Sequence, residues 1–178
     1  MISGKKVGLR AVEYKDLDSL KKWRNIPAFR KNFREVRELN SSNQDLWLNK
    51  TNSSPNDFMF VFEDLKNNEI IGAGGLLYIN WIIRSADFSF YIGRNEEYID
   101  NDGFAEEATE LLINYGFKNL NLNKIWMELY EFDKMKLDFF INFFRFKIDG
   151  TLRDNCFEDG KFWNSKIISL TKNDYFND

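Results

Sequence analysis

Asp100 to Ala105, DNDGFA, stand between a run of strand-forming residues (ADFSFYI, 86–92) and a helical pattern in which Phe104, Ala108, Leu111, Leu112 and Tyr115 recur at helical spacing. A helix entered through a glycine-bearing loop offers unpaired backbone N–H groups and the positive end of its dipole, which is the chemistry that seats a phosphate. Gly103 and Ala105 are small enough for a phosphate to reach the backbone, whereas Asp100 and Asp102 set negative charge beside it. Asp102, Glu106 and Glu107 equally describe an ordinary helix start, where acids are favoured. A second group of chemistry-bearing residues is WRNIPAFRKNFREVREL (23–39), which concentrates Arg24, Arg30, Lys31, Arg34 and Arg37. Guanidinium forks pair bidentately with phosphate, so the cluster suits a phosphate-bearing ligand, and with Glu35 and Glu38 it suits a solvated helical face as well.

Composition narrows the chemistry further. The 178 residues contain no histidine and one cysteine, Cys156, so an internal disulfide, the usual zinc sites and a Cys–His pair are excluded and no metal is expected. A net charge of -3 argues against a general binder of nucleic acid or anionic membrane. With 43% hydrophobic residues the chain reads as a single domain over 1–178. No apolar run approaches the ~20 residues of a membrane span, and Met1–Lys6 leads straight into a strand, so a cytoplasmic location is expected.

The elements that must position these residues follow from periodicity. Val7, Leu9 and Ala11 alternate with Gly8 and Arg10 as a strand. Asp16 is placed to cap a helix whose Leu17, Leu20 and Trp23 share one face, and Pro27 ends or bends it. Helical regions over about 28–35 and 42–50 precede a turn at 52–57. Strands near 58–65, 69–82 and 86–92, a helix over 103–118, a strand at 124–131, a helix at 133–144 and strands near 146–158 and 161–170 complete the order. Antiparallel strands with a helix crossing between two sequential strands describe a mixed α/β layer fold.

In this order the chain resembles the GNAT superfamily of N-acetyltransferases over most of its length. Asp100–Ala105 stands where that family carries its (Arg/Gln)-x-x-Gly-x-(Gly/Ala) loop, Ile70–Leu76 looks like the strand before it, and KIWMELYEF (124–132) looks like the strand after it. Phe146–Asp154 resembles the closing GF-x-x-(Glu/Asp)-G-x-x-R strand, with Arg145 in the glycine position. The resemblance is nearest to the branch of ribosomal-protein, spermidine and amino-sugar acetyltransferases. It implies a mixed, mostly antiparallel central sheet of about seven strands flanked by helices.

The same resemblance implies acetyl-CoA as cosubstrate and direct attack of an amine on its thioester. Pantetheine would then bond the backbone of Phe90, Tyr91 and Ile92 where the strands at 86–92 and 124–131 splay, and the phosphates would lie at Asn101, Asp102, Gly103, Phe104 and Ala105. Asp133 takes the place of the family's cofactor-contacting Asn, and Phe140 or Ile141 that of its acidic Tyr. Loss of that acid slows the reaction without forbidding it, since general acid–base catalysis supplies about 10²- to 10⁴-fold. Glu128 and Tyr130 are the candidate bases. Arg30, Arg34, Glu35, Arg37 and Asp87 are the candidate acceptor contacts, with Glu35 and Asp87 also able to face the cleft as bases. A small-molecule amine is the expected partner, a nucleotide-linked amino sugar being the first choice. A polyamine, a protein N-terminus, or a degenerate acyl-CoA-binding protein are the alternatives. A homodimer is one assembly open to it.

Overall fold

The computed structural model describes residues 1–177; Asp178, the last residue of the expected domain, lies outside them. Chain order is β1 (Ile2–Ser3), β2 (Val7–Ala11), α1 (Leu17–Asn25), α2 (Pro27–Arg30), α3 (Ser41–Ser53), β3 (Phe58–Asp64), β4 (Glu69–Asn80), β5 (Ser85–Ile92), α4 (Phe104–Asn114), β6 (Lys124–Tyr130), α5 (Lys134–Phe144), β7 (Lys147–Glu158), β8 (Lys161–Thr171) and α6 (Lys172–Phe176). The strands form one sheet in the order β1-β2-β3-β4-β5-β6-β8-β7. Every described neighbour pair is antiparallel except β5–β6, which is parallel and is joined by the α4 crossover. The eighth strand is β1, two residues long and too short to leave a pattern in sequence.

Strand alternation divides the core between the two faces of the sheet. Phe62, Phe88, Phe90 and Ile92 join Leu112, Phe117, Phe139, Phe140 and Phe146 beneath α4 and α5. Val61, Ala73 and Tyr91 turn the other way and meet Leu20, Trp23, Phe29 and Leu48 of α1 to α3, together with Tyr98. Each fully buried phenylalanine contributes about 1.5–3 kcal/mol over its exposed state, so the five-ring contact network around Phe140 is a main source of cohesion on the first face.

Several helix ends differ from expectation for visible reasons. Asp16 does not cap α1 through its side chain: its carboxylate is buried and accepts two bonds from Arg10 and one from the Glu13 N–H. The helix expected over 28–35 stops at Arg30. Beyond it, Asn25 pins the chain by bonding both the Leu39 carbonyl and the Leu39 N–H, so 31–39 crosses the end of α1 as an irregular loop. The α4 helix starts from Gly103 at φ 80°, the left-handed region where an L side chain costs roughly 1–2 kcal/mol. Its C-terminus widens into a π turn over Tyr115–Asn119. Arg145 holds φ 57° at the end of α5, the conformation for which glycine is usually chosen. No helix among the described residues is long and apolar enough to cross a membrane.

Candidate active site

The parallel pair is short. Ser85, Ala86 and Asp87 of β5 register with Lys124, Ile125 and Trp126 of β6, and there the pairing ends although β5 runs on to Ile92 and β6 to Tyr130. From Phe88 onward the facing edges of the two strands lie apart, which leaves a wedge open toward α5 and the 93–103 loop. Side chains of Phe88, Phe90 and Ile92 lie in the core, so it is their main-chain groups that line the wedge.

That edge is already bonded internally. Lys136 Nζ of α5 donates to the Phe90 carbonyl at 2.6 Å and to the Tyr98 hydroxyl at 3.1 Å. The Ile92 N–H donates to the Tyr98 carbonyl at 3.1 Å. Tyr98 Oη donates in turn to the Asp133 carboxylate, which also caps the Lys136 N–H. Because antiparallel residues alternate in the direction of their N–H and C=O groups, Tyr91, between Phe90 and Ile92, points its main chain at Ala73 of β4 and away from the wedge. Its phenol ring packs edge-on against Trp23 and Phe33. Burial drives the Lys136 ammonium down to about 8, although Asp133 pulls the other way. The Asp133 carboxyl is held above its ordinary value by burial, and the Tyr98 phenol well above its own by burial and by Asp133.

The loop before α4 is likewise satisfied from within. Asp100 is buried, and its carboxylate accepts from the N–H groups of Asp102, Phe104 and Ala105 at 2.8, 3.0 and 2.6 Å. An anion therefore does occupy this helix start, and it is a side chain of the chain itself. Asn101 and Asp102 are exposed. Two cations stand close by that the spacing of residues did not flag: Lys6, whose ammonium donates to the Asp102 carbonyl, and Arg94, whose guanidinium lies 4.1 Å from the centre of the Phe104 ring. The backbone groups that the resemblance assigns to acetyl-CoA are thus spent on Asp100, Lys136 and Tyr98.

Across the wedge, on the face that carries α1 to α3, β5 and β6 present Asp87, Trp126, Glu128 and Tyr130. Arg34 bridges the two strands. Its guanidinium donates to Asp87 at 2.6 Å and lies 3.6 Å from Glu128. Glu128 also accepts from Asn155 Nδ2 at 2.6 Å and Ser165 Oγ at 2.7 Å, two contacts from β7 and β8. Burial raises the Asp87 carboxyl against the opposing pull of Arg34. Tyr130 is half-buried, and burial first, then Cys156 and Glu128, keep its phenol protonated above its ordinary value. A phenol so held stays protonated near neutral pH and is not available there as a phenolate base. The remaining candidates are elsewhere. Phe140 is fully buried among Phe88, Phe90, Phe139, Phe144 and Phe146, and Ile141 is half-buried beside it. Glu35 is bonded by the Arg37 N–H and guanidinium, which hold its carboxyl well below the usual range. Arg30 lies 3.6 Å from Glu38.

Comparison with known proteins agrees with this architecture. An acetyltransferase (GNAT) domain matches residues 6–135. The chain is 30% identical over 172 residues to a spermidine N(1)-acetyltransferase of Vibrio cholerae, covering 95% of both. It is 29% identical over 176 residues to an uncharacterized N-acetyltransferase p20 of Bacillus licheniformis, covering 94% of this chain and 93% of that one. Among solved structures, spermidine N-acetyltransferase from Vibrio cholerae in complex with CoA and spermine superposes with a TM-score of 0.87 at 25% identity, covering 98% of this chain and all of the other. A dodecameric structure of spermidine N-acetyltransferase from the same organism gives a TM-score of 0.81 at 26% identity, covering 98% of each. The chain belongs to the GNAT acetyltransferase family. It is an acetyl-CoA-dependent N-acetyltransferase.

Proposed function

We propose that the chain acetylates a primary amine delivered to Asp87 and Glu128, with acetyl-CoA lying in the wedge between β5 and β6. The observation that carries this reading is the end of β5–β6 pairing at Asp87–Trp126, with two carboxylates flanking the opening. Asp87 and Glu128 against Arg34 leave one negative charge in excess, which attracts an ammonium. Glu128, fixed by Asn155 and Ser165, is the group we assign to receive its proton, directly or through water. Tyr130 would supply a proton to the departing thiolate. Binding the cosubstrate exchanges one set of bonds for another: pyrophosphate for the Asp100 carboxylate at the loop, with Lys6 as counter-charge while Arg94 is paired with Asp64 at 2.9 Å, and pantetheine for Lys136 and Tyr98 at the β5 edge.

Titration calorimetry with acetyl-CoA, followed by CoA release in the presence of amines, tests this. We expect binding of acetyl-CoA, and a fall in kcat of about 10²-fold for Glu128→Gln with the binding retained. Absence of acetyl-CoA binding at millimolar concentration would refute the wedge assignment. On the acceptor, a nucleotide-linked amino sugar was suggested by arginines, but Arg30, Arg34 and Arg37 spend their charge on Glu38, Asp87 and Glu35. A polyamine is the second reading, favoured by the Asp87 and Glu128 carboxylates and by the substrates named for the Vibrio cholerae relatives. We also propose self-association through the β7–β8 hairpin, whose Phe157 and Phe162 pack edge-to-face with both rings mostly exposed. A dodecameric relative makes such assembly a reasonable property of the fold.

A further inference from the structure

On the α1 to α3 face lies a cavity of about 440 Å³, walled by apolar side chains that include Leu20, Trp47, Met59, Leu77 and Tyr91. Arg24 and Gln44 are among the lining side chains, with Lys50 and Ser89, that make no hydrogen bond or ion pair among the described residues. Arg24 makes no hydrogen bond or ion pair; its guanidinium stacks 3.6 Å from the centre of the Phe33 ring, and burial pulls it below its ordinary value. The nearest carboxylate charge it feels is Glu35, whose oxygens are taken by Arg37. Gln44 is 5% exposed, and its side-chain amide is likewise without a hydrogen bond. Neither group is sealed from water, and both can exchange that water for hydrogen bonds to an anionic ligand. The charged lining as a whole has three cations, Arg24, Arg37 and Lys50, against the one carboxylate of Glu35.

The cavity lies along the same face of β5 as the proposed acceptor carboxylate Asp87. Ser89 and Tyr91 line it from β5, two and four residues beyond Asp87 on the same face, or about 7 and 13 Å along the strand at a rise of about 3.3 Å per residue. One end of this surface therefore carries excess negative charge, at Asp87 and Glu128, and the other carries positive charge at Arg24, with an apolar stretch between. We infer that the acceptor is an amino acid of the ω type, an amine and a carboxylate separated by an apolar chain, with its carboxylate held by the Arg24 fork and the Gln44 amide. A diamine would bring a second cation to Arg24, and a phosphate monoester or pyrophosphate would bring more anionic charge than the Arg24 guanidinium alone offsets. This inference rests on the acetyl-transfer reading for the amine end alone, because the carboxylate end can be measured without catalysis.

The test uses four probes with one carbon skeleton: octanoate, 8-aminooctanoate, octylamine and 1,8-diaminooctane. Binding is measured by calorimetry and turnover by CoA release. Octanoate and 8-aminooctanoate are expected to bind at least tenfold more tightly than octylamine or the diamine, and 8-aminooctanoate to be the best acceptor. Arg24→Met should weaken octanoate at least tenfold, Arg24→Lys should restore part of that loss, and Gln44→Leu should weaken it several-fold. Should Arg24→Met fail to fold, Arg24→Lys and Gln44→Leu carry the test, since the first keeps a positive charge beside Phe33 and the second leaves Arg24 in place. Diamine binding equal to that of 8-aminooctanoate, or octanoate binding unchanged in folded Arg24 and Gln44 variants, overturns the inference even if amines are acetylated. Octanoate binding that depends on Arg24 without acetylation of any amine sustains the carboxylate site and removes the acetyl-transfer reading instead.

Discussion

Asp100 departs from the basic or amide residue that opens this loop in the family, and its role follows from its bonds. A carboxylate that accepts three N–H groups is an internal stand-in for phosphate, so it competes with the cosubstrate for the same donors. Asp100→Gln should tighten acetyl-CoA binding several-fold in calorimetry while lowering stability to denaturant by about 1–2 kcal/mol, because bonds to a charged acceptor are worth about 1.5–3 kcal/mol each and the amide keeps part of that value. Weaker acetyl-CoA binding by a folded Asp100→Gln protein would mean that the carboxylate shapes the loop and does not block it. Lys136 makes a pH-dependent contribution. Its ammonium is held near 8 in the folded chain against an ordinary 10.5, so between those values the unfolded chain binds the extra proton and stability rises with pH. Above about pH 10 the Tyr98 phenol, kept protonated in the fold, reverses the slope, since the unfolded chain then loses a proton that the folded chain retains. Urea denaturation from pH 7 to 11 should show a rise followed by a fall, and Lys136→Met should remove the rising limb whatever its effect on absolute stability.

At the level of elements, the fit of α1 onto the sheet depends on a residue without a side chain. A Cβ at Gly93 would lie 2.1 Å from the Trp23 indole, a wall of the second core. Gly93 also donates its N–H to Ile71 at 2.8 Å, which fixes its distance from β4. Gly93→Ala should therefore cost about 1–3 kcal/mol, the usual effect of overpacking, and should shift the near-ultraviolet signal of Trp23. Gly150, in β7, has nothing within 4 Å of the added atom, and Gly150→Ala should stay within about 0.5 kcal/mol. Equal stability of the two variants would show that α1 moves freely over the sheet. Such movement would loosen Arg24 as well, because the same helix carries it.

For the whole molecule, the sheet ends in an open edge. β7 is twelve residues long and mostly exposed, and Ile148, Leu152, Phe157 and Phe162 present large apolar side chains on this hairpin. An exposed edge strand with apolar side chains is a template for pairing with another chain. Replacing Phe157 and Phe162 together by Ser should shift the protein toward the monomer in sedimentation experiments. An unchanged distribution would assign any assembly to another surface. The hairpin also supplies Asn155 and Ser165 to Glu128, so dissociation is expected to lower activity along with size.

The order of elements is legible in the chain, because it depends on periodicity and on local signals such as Pro27 and Gly103, and the position of the parallel pair is legible only through the family resemblance. Alternation along ADFSFYI and KIWMELY sorts residues into two sets, but which set faces the cleft is decided by the packing of α4 and α5 on one side and of α1 to α3 on the other. What periodicity does not carry is the partner of each charge. Arg34 meets Asp87 across 53 positions of sequence, and Lys136 meets Phe90 across 46, so the arginine cluster read as a ligand site proved to be mostly paired, while a lysine that reads as a solvated helix residue is buried at the centre of the wedge. Asp100 stands out in the sequence as a departure from the family's loop, but its inward turn does not, since the same carboxylate could face water. Arg24 looked like one of five equivalent cations, and the irregular loop over 31–39 distinguished it by giving Glu35 to Arg37. Local pattern determines which face a side chain leaves from; the packing of distant elements decides whether its charge is neutralised there or left for a ligand, because that balance depends on distances of a few ångströms between segments that sequence does not relate.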